Sequence, residues 1–81
     1  MAEREIVVYI SNHCSQCDAL TDQLDDWGVA YTTKNVTENN HYRKEMQENG
    51  IYGTPATFIE GNQKAILGFQ KERLQIELGC L

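Results

Sequence analysis

Hydrophobic and polar positions alternate in blocks along this 81-residue chain, and the blocks predict a series of strands and helices. Residues 5–10 carry charge only at their leading end, and the continuous apolar run that follows suits a central strand that is buried on both faces. A helical spacing of apolar residues then predicts a helix from about Ser15 to Trp27, with Gly28 placed to end it in the left-handed conformation. The apolar positions on that helical face are Cys17, Leu20, Leu24 and Trp27.

Residues 29–36 predict a second strand, because β-forming side chains occupy most of the segment. The intervening helix leaves room for a right-handed crossover, so the first two strands should be parallel. A second helix should follow, capped by Thr37 or Asn39 and ended by Gly50. Its apolar face is thin and consists of Tyr42 and Met46, four positions apart.

The last third of the chain predicts a β-hairpin followed by a helix. Residues 56–60 and 63–67 are strand candidates, and Gly61-Asn62 between them is a two-residue turn of the kind that supplies positive φ. Gly68-Phe69 then interrupts the strand pattern. The final amphipathic segment places Leu74, Leu78 and Leu81 on one stripe. The predicted element order is therefore βαβαββα.

Composition and charge narrow the class of protein. The length allows one domain, residues 1–81, and a net charge of −5 argues against nucleic acid as a partner. No apolar run approaches the ~20 residues of a membrane span, and the charged N-terminus lacks the apolar region of a secretory signal. Three cysteines are too few for a disulfide scaffold, so a cytoplasmic protein is expected.

Cys14 and Cys17 stand where the first strand gives way to the first helix. A thiol pair at such a junction is typical of a redox motif, because unpaired N–H groups and the positive end of the helix dipole favour a thiolate. This placement can lower a thiol pKa from about 8.5 to about 3.5–7.5. Two unrelated core cysteines are the alternative interpretation.

A metal site is the second alternative. Structural zinc requires four nitrogen or sulfur ligands, usually as two paired sets. The remaining candidates, His13, His41 and Cys80, are scattered over different predicted elements. A cluster shared between two chains would need only Cys14 or both thiols of each chain, so cluster binding stays open, and Cys80 is most simply a bystander.

Three features together resemble the glutaredoxin branch of the thioredoxin-like fold. They are the segment 9–17 with its CxxC motif, then Thr54-Pro55, then the segment 68–72. The resemblance implies an α/β fold with a four-stranded mixed sheet in order 2-1-3-4, flanked by three helices. It also implies a monomeric thiol-disulfide oxidoreductase that binds no cofactor and works through a redox-active Cys14–Cys17 disulfide.

Within this branch, Gln16 and Gly68-Phe69 look more like the NrdH-type redoxins that serve ribonucleotide reductase than like ordinary glutaredoxins. Such redoxins usually receive electrons from thioredoxin reductase and NADPH, whereas ordinary glutaredoxins use glutathione. Ser11 stands where relatives commonly have a lysine, and Gln70-Lys71 replaces an acidic pair that helps hold glutathione. Thioredoxin reductase is therefore the expected electron donor, and glutathione is the alternative. The expected acceptor is a protein disulfide, for example that of ribonucleotide reductase.

The resemblance and the chemistry of the motif also suggest roles for individual residues. Cys14, nearer the loop, should attack a substrate disulfide, and Cys17 should resolve the mixed disulfide. Pro55 resembles a cis proline that faces the thiols, although an ordinary trans proline opening an edge strand is the simpler interpretation from sequence alone. The other residues with expected contacts to a substrate or partner are Tyr9, His13, Gln16, Thr54, Gly68 and Phe69.

Several of these residues have a simpler alternative. His13 is either a group that stabilises the thiolate when protonated or, as we favour, a solvated loop residue. Tyr9 and Phe69 either line the groove or belong to the core. Gly68 needs no functional reason to break a strand.

Overall fold

A four-stranded sheet with strand order β2-β1-β3-β4 organises the computed structural model, which describes residues 5–60 and 65–78. The strands are β1 (Ile6–Ile10), β2 (Thr32–Asn35), β3 (Ala56–Ile59) and β4 (Ile66–Leu67), and the helices are α1 (Ser15–Asp26), α2 (Asn40–Glu48) and α3 (Lys71–Leu78). β1 pairs with β2 in parallel and with β3 antiparallel, and β3 pairs antiparallel with β4. The predicted element order, strand order and parallel crossover are confirmed.

β1 is buried on both faces of the sheet, as its continuous apolar run predicted. Alternate side chains point to opposite faces of a strand. Ile6 and Val8 therefore join one core, whose other buried members are Leu20, Leu24, Ile59, Ile66 and Leu74. Tyr9 joins a second core together with Val36, Met46 and Ala56. Because α1 and α3 contribute to the first core and α2 to the second, the helices cover both faces of the sheet.

α1 presents the apolar face that the sequence predicted. Cys17, Leu20 and Leu24 are buried, and Trp27, the C-cap residue, packs partly buried against the first core. Gly28 follows with φ +71°, the left-handed conformation that glycine adopts without steric cost.

The cap of α2 is Asn39 rather than Thr37. The Asn39 side chain accepts a hydrogen bond from the His41 amide at 2.9 Å, which satisfies one of the free N–H groups at the helix start. Thr37 instead accepts a hydrogen bond from the Asn12 amide through its hydroxyl oxygen. Gly50 follows the helix with φ +81°, at the position where the sequence predicted its end.

β2 is shorter than predicted, because residues 29–31 are held by α1 instead of by the sheet. The Val29 amide donates to the Leu24 carbonyl at 3.0 Å, and the Tyr31 hydroxyl donates to the Asp25 carboxylate at 2.9 Å. Favourable β-propensity was therefore overridden by contacts with the preceding helix.

The hairpin is confirmed by the antiparallel pairing of β3 with β4. β3 ends at Ile59, one residue before the predicted end. The predicted turn at Gly61-Asn62, the first residues of the predicted fourth strand (63–64), Cys80 and Leu81 lie outside the described residues. Within residues 5–60 and 65–78, no helix is long and apolar enough to cross a membrane.

Candidate dithiol site

Cys14 is the N-cap of α1, and Cys17 lies on the first turn of the helix. Cys14 has extended backbone angles, φ −117° and ψ 98°, and its Sγ accepts a hydrogen bond from the Cys17 amide at 3.1 Å. The two sulfurs form a disulfide whose Cα atoms are 5.2 Å apart, inside the range that disulfides need. The helix start therefore supplies an N–H donor to the sulfur of Cys14.

The two sulfurs differ in their access to solvent. Cys14 is partly exposed, whereas Cys17 is 3% exposed and faces the interior with Leu20 and Leu24. A substrate disulfide can therefore approach Cys14 more easily than Cys17. This asymmetry favours the predicted roles, in which Cys14 attacks and Cys17 resolves.

The loop before Cys14 is held against the end of β2. The Asn12 amide donates to the Thr37 hydroxyl oxygen at 3.1 Å, and the Asn12 side-chain oxygen accepts from the Asn35 amide group at 3.0 Å. His13 adopts the left-handed conformation with φ +56°, and it is exposed. The exposure favours the solvated interpretation of His13.

Thr54 and Pro55 face the thiol pair from the segment that precedes β3. The peptide bond between them is cis, as the resemblance implied, and Pro55 is buried. The Thr54 hydroxyl oxygen lies 4.0 Å from the Sγ of Cys14, and the hydroxyl oxygen of Ser11 lies 2.6 Å from that of Thr54. Residues 43 positions apart in sequence thus meet beside the reactive sulfur.

The Gly68-Phe69 segment closes the site on a further side. The Gly68 amide donates to the Pro55 carbonyl at 2.8 Å, and the Phe69 amide donates to the Gln16 side-chain oxygen at 3.4 Å. Gly68 has φ +73°. The structure therefore joins Gln16 of the motif, the Thr54-Pro55 segment and the Gly68-Phe69 backbone by hydrogen bonds, while the Phe69 side chain packs partly buried against the first core.

Tyr9, by contrast, lies in the core. It is 4% exposed, and its ring packs edge-on against Phe58 with centroids 5.3 Å apart. Burial, followed by the nearby Glu45 carboxylate, raises the pKa of Tyr9 to about 12. Of the two interpretations of Tyr9, the core position is the one that the structure adopts.

Ser11 is a member of the site that was not predicted from the sequence, where it stood out only as the absence of a lysine. In the structure its side chain contacts the hydroxyl of Thr54. No local pattern could have revealed this contact, because it depends on how the β1 end meets the loop before β3. As for metals, no three His, Cys, Asp or Glu side chains cluster to hold an ion within the part of the chain that the structure describes.

Comparisons with known proteins agree with this geometry. The family model described as Glutaredoxin matches residues 6–63. The chain belongs to the glutaredoxin family. With its CxxC disulfide, this family member is a thiol-disulfide oxidoreductase, and it therefore exchanges electrons with redox partners.

Solved structures show the same fold. The thioredoxin-like protein BC3987 is 30% identical over 94% of this chain and 99% of its own, with a TM-score of 0.80. The glutaredoxin-like protein NrdH-redoxin from Escherichia coli is 19% identical over 89% of this chain and 92% of its own, with a TM-score of 0.77. A glutaredoxin from Archaeoglobus fulgidus is 23% identical over 94% of this chain and 85% of its own, with a TM-score of 0.72. No match was found among the curated proteins.

Proposed function

We propose that this glutaredoxin-family protein carries electron pairs to protein disulfides through Cys14 and Cys17, and that thioredoxin reductase with NADPH restores the dithiol. The observation that carries the proposal is the arrangement of the thiol pair. A partly exposed Cys14 caps α1 opposite the Thr54-Pro55 segment, and a buried Cys17 stands one turn behind it.

The exchange proceeds in two balanced steps. The Cys14 thiolate attacks one sulfur of the substrate disulfide, so that a mixed disulfide forms and the first substrate sulfur leaves as a thiolate, which takes up a proton from solvent. Cys17 then loses its proton and attacks Cys14 Sγ, which releases the second substrate sulfur. Two electrons pass to the substrate, and the Cys14–Cys17 disulfide remains. A reductant that delivers two electrons closes the cycle.

Features of the Gly68 segment and of Ser11 support thioredoxin reductase as the donor. Ser11 brings no cation to the site, and its hydroxyl contacts Thr54. The side-chain amide of Gln70 donates to the Leu67 carbonyl at 2.6 Å, so this group is used within its own loop and not held out toward a ligand. The structural neighbour NrdH-redoxin is itself described as glutaredoxin-like with a thioredoxin-like activity profile.

A side-by-side assay tests the donor. The oxidised protein is supplied either with thioredoxin reductase and NADPH or with glutathione, glutathione reductase and NADPH, and insulin disulfides serve as the acceptor in both arms. We expect faster NADPH consumption in the thioredoxin reductase arm. Dominant turnover with glutathione would favour the alternative, a glutathione-dependent glutaredoxin.

The roles of the two cysteines are tested separately from the donor. We expect Cys14→Ser to abolish insulin reduction, because the attacking thiolate is lost. Cys17→Ser should instead accumulate mixed disulfides that mass spectrometry detects on Cys14. Equal behaviour of the two variants would contradict the assignment of attack to Cys14 and resolution to Cys17.

The acceptor is proposed at the level of a protein disulfide, with that of ribonucleotide reductase as the first candidate. The support is the likeness of Gln16 and Gly68-Phe69 to the NrdH-type segments. The Cys17→Ser variant, incubated with oxidised ribonucleotide reductase, should trap it through Cys14. Failure to trap that enzyme, with insulin still trapped, would direct the search to other acceptors.

A further inference from the structure

We propose that Ser11 is a positioning residue that sets the reactivity of Cys14 by orienting the hydroxyl of Thr54 toward the sulfur. The inference deepens the proposed function and depends on the attack by Cys14. Its basis is a chain of two contacts. Ser11 Oγ lies 2.6 Å from Thr54 Oγ1, and Thr54 Oγ1 lies 4.0 Å from Cys14 Sγ.

The donor and acceptor in each of these two contacts follow from counting protons. A hydroxyl has one proton to donate and two lone pairs that accept. A thiolate has no proton, so at Cys14 it can only accept. Thr54 must then donate its single proton to the sulfur. In the short contact with Ser11, the Thr54 hydroxyl oxygen can therefore only accept a hydrogen bond. Ser11 therefore donates to Thr54, which donates to Cys14.

The contact with sulfur should tighten when the disulfide is reduced. A disulfide sulfur is a weak acceptor, in keeping with the 4.0 Å separation, whereas hydrogen bonds to a charged acceptor are shorter and stronger. The thiolate would then accept from two fixed donors, the Thr54 hydroxyl and the Cys17 amide at 3.1 Å. No cation is needed at position 11 for this stabilisation.

Ionisable side chains make none of the described hydrogen bonds to the Cys14 sulfur. His13 and Asp18 flank the motif on its own loop and helix, and both are exposed. The described hydrogen bonds from the facing segments to the motif are made by uncharged groups, namely the Thr54 hydroxyl to Cys14 and the Phe69 backbone amide to Gln16. Changes at Ser11 or Thr54 therefore alter hydrogen bonding to the sulfur without changing the charge of the site.

The test measures alkylation of Cys14 by iodoacetamide as a function of pH. A Cys17→Ser/Cys80→Ser background leaves Cys14 as the one thiol and keeps the amide of position 17. Thr54→Val removes the donating hydroxyl at constant shape, Ser11→Ala removes the orienting one, and Ser11→Thr restores it. Thr57→Val is the matched control, since it is the same substitution on β3 at a hydroxyl with no described contact to Cys14.

We expect the midpoint of the pH profile to rise by about one unit in Thr54→Val and by about half a unit in Ser11→Ala, from the usual strength of a hydrogen bond to a charged group. Ser11→Thr and Thr57→Val should keep the parent midpoint. Because a more basic thiolate is also a better nucleophile, the Thr54→Val curve should cross that of the parent. It should be about threefold slower at low pH and about threefold faster on the high-pH plateau.

A merely structural role gives a different result. Curves that are lower at every pH with an unchanged midpoint, or an equal midpoint shift in Thr57→Val, would overturn the proposal. Thermal melting of each variant identifies any that fails to fold, in which case Ser11→Ala and Ser11→Thr decide the question. Failure of the proposed function is visible independently, because the unmodified protein would then leave insulin disulfides intact whatever its midpoint.

Discussion

The side chain of Gln16, inside the CxxC motif, contacts the backbone of Phe69, with 3.4 Å between its Oε1 and the Phe69 amide nitrogen. The same oxygen lies beside Gly68, where an added Cβ would stand 3.3 Å from it. The residue between the cysteines thus contacts the loop that leads into α3, and two alanine substitutions test the backbone conformation of that loop.

Gly68→Ala should lower the free energy of unfolding by about 1 kcal/mol or more, because φ +73° strains any residue with a Cβ. Gly53→Ala is the matched control, since an added Cβ there meets nothing within 4 Å and its φ is outside the left-handed range. Urea unfolding of both variants measures the difference. Equal stabilities of the two alanine variants would contradict the role given to Gly68.

Thr57→Val should stabilise the protein. The Thr57 hydroxyl is buried, at 0% exposure, and has no hydrogen-bond partner among the described residues. A buried hydroxyl without a partner costs about 1–3 kcal/mol, and valine has the same shape without that cost. Thr33→Val, at an exposed position of β2, should change the free energy of unfolding little. A loss of stability in Thr57→Val would show that the hydroxyl does find a partner.

The raised pKa of Tyr9 predicts a loss of stability at alkaline pH. The folded protein releases the Tyr9 proton near pH 12, whereas an ordinary tyrosine, as in the unfolded chain, releases it near 10.0. The stabilisation is therefore fully present below pH 10 and is lost as the pH rises through this window. In urea unfolding, the advantage of the parent protein over Tyr9→Phe should shrink between pH 9 and about pH 12.

Tyr52→Phe is the control for this pH series, because Tyr52 is 78% exposed. Its unfolding free energy should follow that of the parent protein across the same window. A Tyr9→Phe variant with the same alkaline loss as the parent would show that another group causes it.

Asn39→Ala should cost about 1 kcal/mol of stability, the usual contribution of an N-cap. The lost interaction is the 2.9 Å hydrogen bond from the His41 amide to the Asn39 side chain. Asn40→Ala removes an exposed side-chain contact with Arg43 instead and should cost less. Thermal or urea unfolding compares the two, and a larger effect at position 40 would contradict the assignment of the cap.

Local patterns were sufficient for most of the fold. The spacing of Cys17, Leu20 and Leu24 predicted which face of α1 is buried, and Gly28 and Gly50 predicted where helices end. The error at residues 29–31 has a physical cause, since the Tyr31 hydroxyl bonds to Asp25 of α1 and competes with strand pairing. Strand propensity alone does not take this competition into account.

The site was predictable to the extent that it consists of motifs. Cys14, Cys17 and Thr54-Pro55 are recognised by spacing and by resemblance. The ion pair of Lys34 with Glu45 near Tyr9, 3.1 Å long, and the contact between Ser11 and Thr54 were not predicted. Both join residues that are distant in sequence. The ion pair forms only when α2 packs against β2, and the Ser11–Thr54 contact only when the end of β1 meets the loop before β3.

One atom caps a helix and also carries the proposed chemistry. The Sγ of Cys14 takes the place that a serine or threonine oxygen usually holds at a helix start. The proposed nucleophile is therefore anchored to a rigid element before any substrate arrives, and little side-chain freedom is lost on encounter. A change in the charge of that sulfur therefore also changes the strength of the hydrogen bond that caps the helix. The first turn of α1 should consequently report the oxidation state of the protein, and exchange of its backbone amides with deuterium would make that report visible.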